Sequence, residues 1–412
     1  MRVLWLSQNL PFPPKTGVLQ RNYNLIREAS RFADVDLVAI VKEDILPTFD
    51  EQVARRELEK ICKRVTTVHL PIEQSRNTFL WVLFKSLFTK APFTVNWADW
   101  PELRNAVRDA VARGPYDVAF FDTISLAQFR DLMNGLPSAL NHHNIESHLL
   151  ERRALIEQSR LRRFYLGVEG PKLKRYEAEV AGQFDINFVV SKLDGDRLRE
   201  ICPKASTAVL ANGVDVDYFD RRAPLSGIEQ GHLIMVSGMN WFPNRDAVLL
   251  MAEEIWPELT KQMPDLKWTI VGASPPQSIV DLAARDRRVT ITGFVDDVRP
   301  YMERAQVYLC PMRDGGGTRL KILDALAMQV PIVATQMALE GIDVQAERDV
   351  LVANEPKEFV AQIIRLVGDA QLQTRLRTNG RAFVQQHFSW PVIRREMESA
   401  FDRIRTPVAE HA

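Results

Sequence analysis

At 412 residues the chain has room for two or three domains, each able to bury its own core. Hydrophobic residues at 46% and charged residues at 26% read as an ordinary globular protein. Lys+Arg and Asp+Glu are equal at 53 each, so no bulk field recruits nucleic acid and any polyanion site must be local.

The chain opens Met1-Arg2-Val3-Leu4-Trp5-Leu6-Ser7, with too few apolar residues for a signal-peptide core, and no run approaches the ~18 apolar residues of a spanning helix. A cytoplasmic location is expected. Cys62, Cys202 and Cys310 are odd in number and far apart, which predicts reduced, buried thiols and no structural zinc.

Short runs dense in Val, Ile, Leu and Phe follow at 3–6, 35–41, 65–70, 118–121 and 186–190, with another near Ala139-Leu140. Without clean alternation they predict strands buried on both faces of a parallel sheet. Helical patterns lie between them at 19–32, 51–63 and 103–113. The pattern then restarts, with strands at 233–236, 268–271, 289–292, 307–309 and 332–334 and helices at 244–261, 277–284, 321–328 and 359–366. Such alternation predicts an α/β protein of two doubly wound, Rossmann-like domains facing across a cleft. The Asn212-Gly213 turn signal places a linker at 211–227, between an N-terminal domain at 1–210 and a second at 228–387. A final amphipathic helix is expected within 388–412, with Trp390, Ile393, Met397 and Phe401 on one side.

Ligands of doubly wound sheets bind beyond the carboxyl ends of the strands. After the first strand runs Ser7-Gln8-Asn9-Leu10-Pro11-Phe12-Pro13-Pro14-Lys15-Thr16-Gly17, a long, stiff loop ahead of a helix start that suits phosphate. It is not Gly-x-Gly-x-x-Gly, so the dinucleotide fingerprint is absent. After the strand near 140 comes Asn141-His142-His143-Asn144-Ile145-Glu146, whose imidazoles suit a sugar hydroxyl or a departing phosphate; a metal site would need further ligands. The second domain's first strand leads into Ser237-Gly238-Met239-Asn240-Trp241-Phe242-Pro243-Asn244, where Gly238 lets a ligand approach the backbone and Asn244 either joins the site or caps the next helix.

Most informative is Arg313-Asp314-Gly315-Gly316-Gly317-Thr318-Arg319-Leu320-Lys321-Ile322-Leu323-Asp324. Glycine amides and a helix start make a positive pocket, Thr318 is placed to cap, and Arg319 and Lys321 add charge for a diphosphate. Asp324, further into the helix, suits the vicinal hydroxyls of a ribose. The bland alternative is a glycine loop with a solvated basic helix start.

These residues resemble the GT-B glycosyltransferases, in particular the large retaining family four and its bacterial exopolysaccharide-associated subgroup. The resemblance extends through Val190-Ser191, Asn212-Gly213-Val214-Asp215, Val271-Gly272 and Thr292-Gly293-Phe294-Val295. It implies sugar transfer from a UDP- or GDP-sugar to a glycan or lipid-linked acceptor, with retained configuration and no metal or other cofactor. The second domain binds the donor, the first binds the acceptor, and the helix from Ser389 crosses back to the first domain. His143 contacts the transferred sugar, Gly17 the diphosphate, and Arg319 and Lys321 the developing charge; Gly238, Asn244, Gly316, Gly317, Thr318 and Asp324 complete the donor set. The family usually carries two glutamates eight positions apart, where this chain has Gly316 and Asp324. The usual Arg and Lys pair after the second domain's first strand is replaced by Met239-Asn240-Trp241, leaving Arg313, Arg319 or Lys321 to supply charge.

Two other readings stay open: a sugar-nucleotide epimerase on the same architecture, and a non-catalytic nucleotide- or glycan-binding partner of an assembly complex, which the absent glutamate motivates. The aromatic stretch 78–90 reads either as a core helix plus loop or as a peripheral contact with a membrane or lipid acceptor.

Overall fold

A computed structural model describes residues 1–15, 17–42, 49–315 and 318–405. The chain divides into two compact units, Met1–Ala211 with Ile393–Ala412, and Asn212–Val392.

The first unit holds seven strands: β1 (Arg2–Ser7), β2 (Asp34–Val41), β3 (Arg64–His69), β4 (Val118–Phe121), β5 (Ser138–Asn141), β6 (Ile186–Val189) and β7 (Thr207–Val209). They are ordered β3-β2-β1-β4-β5-β6-β7, and every pair is parallel. The central strands β4, β5 and β6 are buried at every position, as a parallel sheet covered on both faces requires. Trp5 of β1 stacks on its register partner Phe120 of β4, ring centroids 3.7 Å apart. The last helix, Trp390–Arg405, contributes Phe401, which is fully buried against Phe120 and Phe188. All three cysteines are buried, and burial pushes the Cys62 thiol up to about 12.

The stretch 78–90 forms a helix, Arg76–Phe88, but not a core helix. Only Val82 and Ser86 are buried, while Leu80, Trp81, Phe84 and Phe88 face solvent.

The second unit holds β8 (His232–Val236), β9 (Lys267–Val271), β10 (Val289–Gly293), β11 (Val307–Cys310), β12 (Ile332–Ala334) and β13 (Leu351–Val352), parallel throughout and ordered β10-β9-β8-β11-β12-β13. The segment from Asn212 is tied into this unit. The Val214 amide donates to the Phe388 carbonyl, and the Arg299 guanidinium lies 3.7 Å over the Tyr218 ring. Gly213 lies so close to Trp390 that a Cβ would fall 2.6 Å from the indole. The predicted helix at 244–261 is three consecutive segments, Phe242–Leu250, a π-helical turn at Met251–Ile255, and Trp256–Gln262.

Both sheets reverse their winding between adjacent central strands, β1 and β4 in one, β8 and β11 in the other. Such switch points open a crevice at the strands' carboxyl ends. The loops leaving those four strands are therefore where ligand chemistry is expected.

Candidate functional site

In the second unit, β8 leads through Ser237 and Gly238 into the helix Phe242–Leu250, whose N-cap is Trp241. Asn244 does not cap it. Its Nδ2 donates to the Gly238 carbonyl at 2.9 Å, and its Oδ1 accepts from Lys321 Nζ at 2.6 Å. One amide thus links the loop after β8 to the helix after β11. Gly238 itself has room for a side chain, the nearest atom to an added Cβ being Asn240 Oδ1 at 3.4 Å. The glycine that close approach demands is Gly272, after β9, where a Cβ would fall 2.0 Å from the Ser237 carbonyl oxygen at φ +155.

After β11 the chain reaches the helix Leu320–Ala327, with Arg319 rather than Thr318 as N-cap and no side-chain cap. Gly316 and Gly317 lie outside the described residues. Thr318 is buried, and its hydroxyl has no hydrogen-bond partner among the described residues. Arg319 is 5% exposed; it donates to the Gly315 carbonyl at 2.9 Å, and Glu340 stands 3.9 Å away. The Lys321 ammonium meets a neutral amide, Asn244, with no carboxylate at ion-pair distance among the described residues. Burial lowers its pKa, and the charge of Arg319 lowers it further against an opposing effect from Cys310. Arg313 is spent elsewhere, paired through two nitrogens with Asp246 at 3.0 and 2.7 Å.

Asp324 lies one turn beyond Lys321 on the same helix, a spacing that puts both on one face. Burial pushes its carboxyl up to about 8, and its Oδ1 has no hydrogen-bond partner among the described residues. Two crowded cations and an unsatisfied buried carboxyl are costly unless they serve a ligand. Among the described residues no three His, Cys, Asp or Glu side chains gather as a metal set.

In the first unit, Gly17 opens the helix Gly17–Ala29 after the proline loop, while Thr16 lies outside the described residues. That helix also supplies two inward polar residues. Arg21 donates to Asn141 Oδ1 at 2.9 Å and to the Leu210 and Ala211 carbonyls at 2.7 and 3.0 Å. Asn22 donates to Asp122 Oδ2. Asp122, fully buried at the end of β4, meets His143 Nε2 through Oδ1 at 2.9 Å. Burial drops the Arg21 guanidinium to about 10, and Asp122 opposes that fall.

The adjacent histidines divide their roles. His142 is buried against Asn187 Oδ1 at 3.0 Å, and burial lowers it to about 4, so it stays neutral. His143 is the partly exposed one, its imidazole fixed by a buried carboxylate. Glu177 accepts from the Glu146 and Ser147 amides at 2.8 and 3.2 Å, capping the helix Glu146–Ile156; burial raises it to about 7.

Gly238, Asn244 and Lys321 are therefore joined by hydrogen bonds, with Arg319 and Asp324 on the same helix start, and His143 belongs to a network in the first unit. Asp122, Arg21 and Asn22 escape the sequence reading. The available signal was a carboxylate directly after a wholly apolar strand, and polar residues on the inner face of the first helix.

Residues 230–369 match the family model "Glycosyl transferases group 1". A protein of Klebsiella pneumoniae, named as an uncharacterized 44.6 kDa protein in a cps region, is 22% identical over 94% of this chain and 96% of its own length. Among solved structures, the sucrose-phosphate synthase of Thermosynechococcus elongatus superposes with a TM-score of 0.70 at 16% identity, over 98% of this chain and 99% of that one. The Anabaena HepE protein in complex with UDP-glucose gives 0.66 at 15% identity, over 98% and 100%. TarM gives 0.70 at 12% identity, over 97% and 98%. The chain has the GT-B fold of these neighbours, and that fold together with the group 1 match in its second unit supports a glycosyltransferase.

Proposed function

We propose that the chain is a retaining, metal-independent hexosyltransferase that moves a sugar from a UDP- or GDP-sugar to a glycan or lipid-linked acceptor in surface or exopolysaccharide synthesis. The observation that carries this reading is the pair of cations, buried Arg319 and half-buried Lys321, at the helix start after β11, with the unsatisfied Oδ1 of Asp324 one turn on. Cations beside a helix N-terminus suit a diphosphate, and a buried carboxyl oxygen accepts from a ribose hydroxyl. The UDP-glucose in the HepE structure supports a nucleotide sugar, and the cps region of the Klebsiella relative supports the polysaccharide role.

In this mechanism the bond from the anomeric carbon to the diphosphate oxygen breaks, and the acceptor oxygen forms its bond on the same face of the sugar. The acceptor proton passes to the departing diphosphate. Arg319 and Lys321 stabilise the charge that grows on the leaving group, so their effect falls on the transition state. In the second unit Gly238 and Thr318 serve the donor's phosphates and Asn244 orients Lys321; Gly17 and His143, the latter held by Asp122, carry the diphosphate and sugar contacts that the resemblance implies.

The test is incubation of the chain with UDP- and GDP-sugars, with and without lipid-linked and free glycan acceptors, reading the product's anomeric configuration by NMR. The proposal expects acceptor-dependent transfer with retention. Epimerised donor without acceptor supports the epimerase instead. Because Gly316 stands where the family carries a glutamate, a binding partner is the second reading; tight nucleotide binding without turnover on any acceptor supports it.

A further inference from the structure

The first unit carries an exposed apolar surface that the transfer chemistry does not use. On the helix Arg76–Phe88, Leu80, Trp81, Phe84 and Phe88 are 49, 56, 62 and 76% exposed. Their spacing sets them opposite the buried Val82 and Ser86, so the helix is inverted relative to a core helix. A second helix, Arg160–Ala181, packs beside it, since Lys172 Nζ donates to the Ser86 and Leu87 carbonyls and Glu169 accepts from the Phe93 amide. About 12 Å along that helix from Lys172, Phe164 is 64% exposed, and Leu161 just before it is 78% exposed.

The charges beside these side chains are mostly basic. Residues 76–90 hold Arg76, Lys85 and Lys90 and no carboxylate. Residues 152–163 hold Arg152, Arg153, Arg160, Arg162 and Arg163 against the single Glu157. Lys85 lies 5.1 Å over the Trp81 ring, a cation kept beside an aromatic rather than paired with an acid. Exposed Trp, Phe and Leu beside an excess of Lys and Arg are complementary to the headgroup boundary of an anionic bilayer, where rings enter the acyl edge and cations meet lipid phosphate. Among the described residues no helix is long and apolar enough to cross a membrane, so the complementary geometry is that of a surface contact.

We propose that the helix Arg76–Phe88 and the first turns of Arg160–Ala181 together form a docking face for an anionic lipid bilayer. The face deepens the lipid-linked side of the proposed function, but it stands on residues remote in sequence from the donor cluster. Its test needs no turnover, so the two ideas fail separately.

The experiment is co-sedimentation of the full chain with large vesicles of phosphatidylglycerol and phosphatidylcholine, or of phosphatidylcholine alone, at 0.1 and 1 M salt. Binding is expected on the anionic vesicles, with weaker binding at high salt, where the Debye length falls from about 10 to about 3 Å. The double variants Trp81→Ser/Phe84→Ser and Leu161→Ser/Phe164→Ser should each lower the partition coefficient about tenfold. Arg160→Glu/Arg162→Glu should remove the anionic preference. All six side chains are on the surface, so melting temperature and UDP binding should be retained, which separates lost docking from lost folding. Absence of binding, equal binding to both vesicle types, or parental binding by the serine variants overturns the proposal. So does a chain that is dimeric in sedimentation velocity and becomes monomeric in Trp81→Ser/Phe84→Ser, which would assign the face to a second copy.

Discussion

The two units finish their sheets with polar clusters at equivalent switch points, yet they treat charge in opposite ways. In the first, polar groups answer one another: Asp122 receives His143 and Asn22, and the two terminal nitrogens of Arg21 donate to Asn141 and two carbonyls. In the second, Arg319 and Lys321 raise each other's electrostatic cost, and Asp324 Oδ1 has no hydrogen-bond partner among the described residues. A network in which carboxylate meets imidazole and amide fixes a geometry in advance. A cluster that sets two cations side by side is eased by an incoming anion, which suits the donor site proposed above. On the proposed function, the first unit positions one imidazole and the second recognises the polar ligand.

The sharpest way to break that contrast is to remove a cation. Arg319→Ala or Lys321→Ala should cost on the order of 2–4 kcal/mol of transition-state stabilisation, read as a fall in kcat/KM with the melting temperature retained. Near-parental turnover refutes the assignment. Next in size, Asp122→Asn releases the His143 ring and should lower kcat about tenfold while leaving UDP affinity unchanged, because the proposal assigns UDP to the second unit. A matching loss of UDP affinity in Asp122→Asn would show that the units do not divide the work in this way. Asp324→Ala should raise the donor KM by about tenfold, from one lost pair of hydrogen bonds to ribose; an unchanged KM argues against ribose contact.

The smallest effect sharpens the electrostatic side of the comparison. Burial raises Asp324 to about 8, above its ordinary value of 3.8, so the folded state holds its proton more tightly than the unfolded chain. The stability this contributes is complete below pH ~4 and is lost as pH rises toward ~8. Asp324→Asn never acquires the buried charge. Without ligand, it should melt near the parent at pH 4 and several degrees above it at pH 9. A parallel pair of melting curves across that range would mean the carboxyl is not desolvated.

Much of this was legible in the chain. The central strands of both sheets are unbroken apolar runs, which burial on two faces requires, and the glycine, arginine, lysine and aspartate around 318 stood out by type and spacing. What escaped has physical reasons. The edge strands Thr207–Val209 and Leu351–Val352 are three and two residues long and partly exposed, so they leave no apolar run. Asn244 looks like a cap because Asn often is one, and only the fold brings Lys321 to it across 77 positions. Arg313 looked as available as its neighbours until Asp246 was found to hold it. Asp122 draws its meaning from His143 and Asn22, one at the end of the next strand and one on the first helix, and no local pattern encodes that meeting.

The central claim is that the helix start after β11 holds a nucleoside diphosphate, and calorimetric titration of UDP and GDP into the parent chain and into Lys321→Ala tests it most directly. The account predicts saturable one-to-one binding of one of the two to the parent, at least tenfold weaker in the variant at equal melting temperature. Binding that is undiminished in Lys321→Ala, or a parent that takes up neither diphosphate, would contradict it.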